Sequence, residues 1–226
     1  MTKVIWDAAG TRQFETGTDR GVLYKKDATG AYGTGVAWSG LTAVTESPSG
    51  AEKTDFYADN IKYASILSAE DFGCTIEAYT YPDEFGECDG SAELATGVYA
   101  GQQARSGFGF TYRTKIGTDA NPEAGYKLHI VYGALASPSE KAYTTINDSP
   151  EAITFSWEIT TTPVQSTALA KPTALITINS LEVNNAKLAA LEAILYGTDA
   201  GEGGTPAATD PRLPSIDEIA TLMTGA

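Results

Sequence analysis

Apolar and polar side chains alternate strictly in four separate stretches, and this limits the chain to a fold built on half-buried strands. Cys74, Ile76, Ala78 and Thr80 alternate with Thr75, Glu77, Tyr79 and Tyr81. Phe108, Phe110, Tyr112 and Thr114 alternate with Gly109, Thr111, Arg113 and Lys115. Tyr126, Leu128, Ile130 and Tyr132 enclose Lys127, His129 and Val131, and Ile153, Phe155, Trp157 and Ile159 enclose Thr154, Ser156 and Glu158. Successive side chains of a strand point to opposite faces, so a period of two sends one set to the core and the other outward. Antiparallel sheets solvated on one face need this pattern. The even set from Cys74 is the core set, which leaves Glu77 on the opposite face.

Shorter strand candidates lie at Gly21–Lys25, Gly33–Leu41, Asn60–Ser65 and Ala174–Asn179. Thr, Tyr, Ile and Phe supply strand propensity, and Gly, Pro, Asp and Asn mark the turns. The expected fold is mainly β, an antiparallel β-sandwich or barrel of about eight strands, with a flanking α-helix and a short C-terminal helix. Asn184 caps the first helix, whose stripe is Leu188, Leu191, Ile194 and Leu195 and which ends before Gly197. Ser215 with Glu218 three residues on opens the second, with Ile216, Ile219, Leu222 and Met223 as its apolar face. The stretch between them is rich in Gly, Ala, Thr and Pro and reads as a linker. The expected organisation is therefore a β-domain over residues 1–197, a linker over 198–214 and a short helix over 215–226. The terminal helix is short enough to need a packing partner, in its own domain or in another copy.

Between the early strands, Thr42–Asn60 is long and polar, and loops of this length are usually functional or disordered. It could alternatively hold a small hairpin with Thr42–Thr45 and Lys53–Tyr57 as arms.

Charge narrows the function. The 226 residues carry a net charge of −14, a poor endowment for gripping nucleic acid, which needs clustered Lys and Arg. The acidity is local: residues 63–104 contain eight acids and no Lys or Arg, and residues 188–226 contribute a further −5. Such a block is either a solvated acidic face or a surface that repels a polyanion or attracts a basic partner. No secretory leader or membrane-length apolar run is visible. Two cysteines, Cys74 and Cys88, cannot make a four-thiolate zinc site within one chain, and reduced thiols are expected.

The usual chemical motifs fail in turn. Counting an EF-hand loop from Asp83 puts Phe85 third and Cys88 sixth, against the required ligand and glycine; a turn at Pro82 and Gly86 is the simpler reading. His129, the single histidine, reads as a sheet-surface residue without a partner nucleophile. Glycines 30, 33, 35 and 40 fit neither dinucleotide nor P-loop spacing. No enzyme activity, cofactor or metal is expected.

Several stretches carry a resemblance. They are Gly10-Thr11-Arg12 through Gly21-Val22-Leu23-Tyr24, Tyr57-Ala58-Asp59-Asn60, Lys127 through Ala134, and Ile146-Asn147-Asp148-Ser149-Pro150-Glu151 with the Phe155-x-Trp157 strand. Over about residues 10–180 the chain resembles the major tail protein of long, non-contractile-tailed bacteriophages, the subunit of the tail tube. That resemblance implies a non-enzymatic β-sandwich that forms rings, usually hexameric, which stack into a hollow tube. Its partners would be copies of itself, the tape-measure protein, other tail proteins and genomic DNA in non-specific transit, with no membrane. Its place would be the virion tail, after assembly in the host cytoplasm.

On this reading Glu77 is the first candidate for the lumen wall, where acidity would keep DNA from sticking. The long loop, with Glu46, Pro48, Glu52, Lys53 and Asp55, is expected to contact an adjacent ring. An N-terminal arm through about Asp19, with Trp6 and Phe14 as anchors, is expected to reach a neighbouring subunit or to pack within its own chain. The competing class is a carbohydrate- or receptor-binding β-sandwich module of a virion, since exposed aromatics with acidic loops suit such recognition.

Overall fold

The alternating segments pair into one eight-stranded antiparallel sheet in the computed structural model, which describes residues 3–146, 148, 151–201 and 207–225. In chain order the sheet and its early excursion comprise β1 (Gln13–Lys25), β2 (Val36–Trp38), β3 (Leu41–Glu46), β4 (Ser49–Gly50), β5 (Lys53–Ala58), β6 (Ile61–Leu67), β7 (Glu70–Asp71) and β8 (Gly73–Ala78). A single helical turn, α1 (Phe85–Cys88), and a small hairpin, β9 (Ala92–Ala95) and β10 (Val98–Ala100), precede β11 (Phe108–Thr118), β12 (Gly125–Ala136), β13 (Phe155–Thr161) and β14 (Leu175–Asn179). Helices α2 (Asn185–Tyr196) and α3 (Ile216–Thr224) complete the chain. The architecture is mainly β with flanking helices.

Strands run in the order β2-β1-β11-β12-β13-β8-β3, with β14 paired to the first half of β12. The sheet curls until its two ends meet. Only Ser39 and Gly40 separate β2 from β3, and a Cβ placed on Gly21 of β1 would lie 2.4 Å from Leu41 Cδ1 of β3. Inside the roll, Leu23, Ile76, Phe110, Val131 and Ile159 surround Trp157. Phe85 of α1 plugs one end, with ring centroids 4.5 Å from Trp38, 5.1 Å from Trp157 and 5.5 Å from Phe108. Full burial of an aromatic of this size contributes about 1.5–3 kcal/mol. The Asp83–Asp89 segment is thus a helical turn rather than a simple inter-strand turn, because Phe85 and Cys88 both face the core.

The outer face of β1, β12 and β14 is buried as well. Val22, Tyr24, Leu128, Ile130, Tyr132 and Ile178 pack against Leu188, Leu191 and Leu195 of α2 and Ile216 and Ile219 of α3. Asn184 caps α2 by accepting from the amides of Ala186 (2.9 Å) and Lys187 (3.3 Å), and Ser215 accepts from Glu218 N (3.2 Å) at the start of α3. Both starts follow from a short polar side chain satisfying otherwise unpaired N–H groups. The terminal helix packs on its own domain.

Three expectations need correction. The described part of the 198–214 linker is packed. Thr198 and Thr209 exchange backbone hydrogen bonds, Arg212 N donates to Ile194 O (2.9 Å), and Gly35 N donates to Pro211 O (2.8 Å). Leu213 is buried against β11, where Gly109 makes room: a Cβ there would meet Leu213 Cδ2 at 2.5 Å. Next, the N-terminal arm stops sooner than Asp19, because Gln13–Thr16 pair with Lys115–Thr118 as the start of β1. Finally, Thr42–Asn60 is not a loop, and Thr42–Thr45 does not pair with Lys53–Tyr57. Residues 41–46 belong to the sheet, and the hairpin is β5 with β6. Asn147, Ser149 and Pro150 of the Asn-Asp-Ser-Pro-Glu stretch lie outside the described residues, as do Met1, Thr2, 202–206 of the linker and Ala226.

Candidate functional site

The expected inter-ring loop is a β-arm. β3 pairs with β8, Ser49–Gly50 with Glu70–Asp71, and Lys53–Ala58 with Ile61–Leu67, so one long two-stranded ribbon leaves the barrel beyond Glu46 and Cys74. Asp59 and Asn60, with φ of 51° and 64°, form its tip, a conformation that Asp and Asn tolerate better than most residues. Residues opposite each other share a face. Thr54, Phe56 and Ala58 therefore lie with Ile66, Ala64 and Ile61 on one face, which is almost wholly apolar. The other face is charged: Asp55 bridges Lys62 at 2.6 Å and Lys53 at 3.5 Å, and these lysines hold its carboxyl below the usual range.

Exposure on the apolar face is high, with Phe56 48%, Ile61 63% and Ile66 59% accessible. A two-stranded ribbon standing alone is marginal in water, and here its apolar side chains stand exposed next to one another.

The five residues named for this contact separate. Lys53 and Asp55 lie on the charged face of the arm, and Glu52 N donates to Ser68 Oγ at 2.9 Å across its base. Pro48 lies in the break between β3 and β4. Glu46 is no part of the projecting arm. It ends β3 and turns into one end of the barrel, where it accepts from Tyr112 OH at 2.8 Å and lies 3.6 Å from His129 Nδ1. His129 in turn meets Thr114 Oγ1 at 3.0 Å and Thr177 Oγ1 at 3.3 Å. It is 7% exposed, so the expected surface histidine is a buried one.

Glu77 lies on the outer, non-core face of β8, as its alternation requires. Ala43 of β3 and Ser156 of β13 flank it, and Thr45 and Glu158 flank Thr75 one pair along. With Thr160, this makes a sheet face of small hydroxylated residues and two carboxylates, without Lys or Arg. The helices cover β1, β12 and β14 and leave this face open.

Trp6 is 76% exposed on the N-terminal segment. Phe14, 45% exposed, lies over Gly117 of its own chain, where a Cβ would meet the ring at 2.5 Å. Cys74 and Cys88 are free, buried thiols, each pushed up to about 12 by burial. Among the described residues no three acidic, histidine or cysteine side chains gather into a metal-binding group. None of the helices in the described residues is long and apolar enough to cross a membrane.

Sequence reading missed the β9–β10 hairpin, whose Leu94 (74%), Val98 (53%) and Tyr99 (58%) are exposed. The Thr96-Gly97 turn between short runs was its one local signal. No protein-family model matches the chain, and no curated protein matches it in sequence.

Proposed function

We propose that this chain is the repeating structural subunit of a hollow tube, the tail tube of a long, non-contractile-tailed bacteriophage. Copies form rings, the rings stack, and the lumen holds a tape-measure protein before conducting DNA. The observation that carries the reading is the β-arm, a projecting ribbon whose apolar face is left exposed among the described residues. A surface of that kind on one end of a subunit favours heterologous contacts, which close into rings or run on as filaments.

The outer face of β3, β8 and β13 supports a lumen role. Its small side chains offer little to catch on. Glu77 and Glu158 would repel phosphates, and the lack of cations leaves no counterion-releasing grip on DNA. The exposed aromatics Tyr57 and Tyr63 sit on a ribbon rather than around a concave site, which favours assembly over carbohydrate recognition.

Electron microscopy of the purified chain over a concentration series tests this. Rings or tubes are expected from the natural sequence. A variant with residues 51–69 replaced by a two-residue turn between Gly50 and Glu70 should remain a folded monomer. A natural chain that stays monomeric and gains thermal stability from a sugar would replace the tube reading with the recognition module. A reconstruction with Glu77 on the outer wall would remove the lumen assignment alone.

A further inference from the structure

Phe85 plugs one end of the barrel, and polar side chains close the other, beside the root of the arm at Glu46 and Cys74. His129, the single histidine, stands at the centre of that cluster. Facing it are Glu15 from β1, Glu46 from β3, Tyr112 and Thr114 from β11, Lys127 from its own strand and Thr177 from β14. The buried Cys74 thiol of β8 lies behind Glu46 and Tyr112.

The two ring nitrogens look toward different carboxylates. Nδ1 lies 3.3 Å from Thr177 Oγ1 and 3.6 Å from Glu46 Oε1. Nε2 lies 3.0 Å from Thr114 Oγ1, which is itself 3.4 Å from Glu15 Oε2, and Lys127 pairs with Glu15. A neutral imidazole carries one N–H, and an ionised carboxylate only accepts. Glu46 therefore favours the hydrogen on Nδ1, and Nε2 accepts from the Thr114 hydroxyl. That hydroxyl has one proton, so while the ring holds it Glu15 receives none.

One added proton rewires the chain of contacts. It binds Nε2, which becomes a donor; Thr114 Oγ1 becomes the acceptor and turns its own proton to Glu15. The imidazolium then stands between two carboxylates, Glu46 directly and Glu15 through Thr114. The Glu46 and Glu15 side chains are 41% and 46% exposed, so solvent reaches both ends of the relay although the ring is buried. A separation of 3.6 Å is too long for a hydrogen bond, and a charged donor draws its acceptor closer. Glu46 ends β3, and Ser47 N, next along the chain, donates to Gly73 O at 2.8 Å at the root of the arm.

We propose that His129, Thr114 and Glu15 form a proton-operated joint that draws Glu46 onto the imidazolium in acid and tightens the root of the β-arm. The joint lies within one subunit and does not depend on the tube reading.

Ring NMR spectra of the full chain between about pH 4.5 and about pH 8 test it, and one histidine makes them unambiguous. The neutral ring is expected to carry its hydrogen on Nδ1. As the ring protonates, protection of the Ser47 amide against hydrogen exchange should rise with the same midpoint. Glu46→Gln should lower that midpoint by about 0.5–1 pH unit and uncouple Ser47 from it. Glu15→Gln should lower it too, and by less when Thr114→Val has already removed the relay.

A hydrogen on Nε2 of the neutral ring would overturn the joint. So would a midpoint unmoved by Glu46→Gln, Ser47 protection that ignores the ring, or a chain that unfolds before the ring titrates. None of these outcomes touches assembly, which electron microscopy reads separately.

Discussion

The Tyr112 ring lies flat on the His129 imidazole, with centroids 4.5 Å apart and planes 6° from parallel. Glu46 joins them at the end of β3, accepting from the Tyr112 hydroxyl and lying beside His129 Nδ1. Burial holds His129 below its ordinary value, while Glu46 and Glu15 pull weakly upward and Lys127 downward. The unfolded chain therefore binds a proton at His129 before the folded chain does. The resulting stability is full above the ordinary histidine value of about 6.5 and falls as pH drops through it. Urea unfolding should show a declining midpoint from about pH 7 to about pH 5, before the carboxylates titrate. His129→Gln should flatten that decline, and an unchanged slope would assign it to another group.

Phe85 stoppers the barrel. Phe85→Ala should cost about 3–5 kcal/mol, because the cavity would open among Trp38, Phe108 and Trp157, which are fixed by the sheet. Phe85→Leu keeps most of the volume and should cost less than about 1.5 kcal/mol. Calorimetric melting measures both, and equal losses would argue against packing as the cause.

Exposed apolar residues on the arm contribute little to the monomer. Ile61→Ser and Ile66→Ser should each shift unfolding by no more than about 0.5 kcal/mol. The pair should nonetheless abolish association in sedimentation velocity runs. A large loss of monomer stability would mean that the arm folds against its own barrel.

Arg113 ties the sheet to the helix layer. Its guanidinium meets Asp19 at 2.9 and 3.2 Å, lies 3.8 Å from Glu192 of α2, and covers the Tyr126 ring at 4.4 Å. Arg113→Met should cost about 1–2 kcal/mol, discounted because the two acids are partly exposed. Hydrogen exchange should speed up in α2 more than in β8, and uniform acceleration would contradict a local clamp.

The C-terminal strap depends on a missing side chain. Gly109→Ala would press on Leu213 Cδ2 and on the Val131 carbonyl oxygen 3.0 Å away, and should cost about 1–3 kcal/mol. Leu213→Ala in the same chain should recover part of that loss. Strictly additive effects in the double variant would rule out the contact as the origin.

These sites differ in how far local sequence reveals them. Alternation located Ile76, Phe110 and Trp157 in the core and Glu77 on the opposite face, because side-chain direction within a strand is a local property. Asn184 and Ser215 were legible for the same reason, since a cap acts within one turn. His129 was placed on the correct side of β12, yet its burial could not follow from alternation. One face of β12 enters the barrel and the other lies under α2, and only tertiary packing decides that both are covered. The arm shows the opposite case: Thr42–Thr45 alternates as well as Asn60–Ser65 does, so alternation alone set the wrong strand opposite Lys53–Tyr57. Leu213 was hidden in an apparent linker, because its socket is made by Gly109, far away in the chain.

The ribbon at the Glu46/Cys74 end also bears on size. In the proposed tube, a copy that buried its neighbour's arm would bring an identical bare arm of its own, so every addition would renew the surface it consumed. Growth by such a contact would have a direction but no built-in stopping point. The finished length would then have to come from outside the chain, through a molecule that measures it or a terminal component that covers the last arm without offering another.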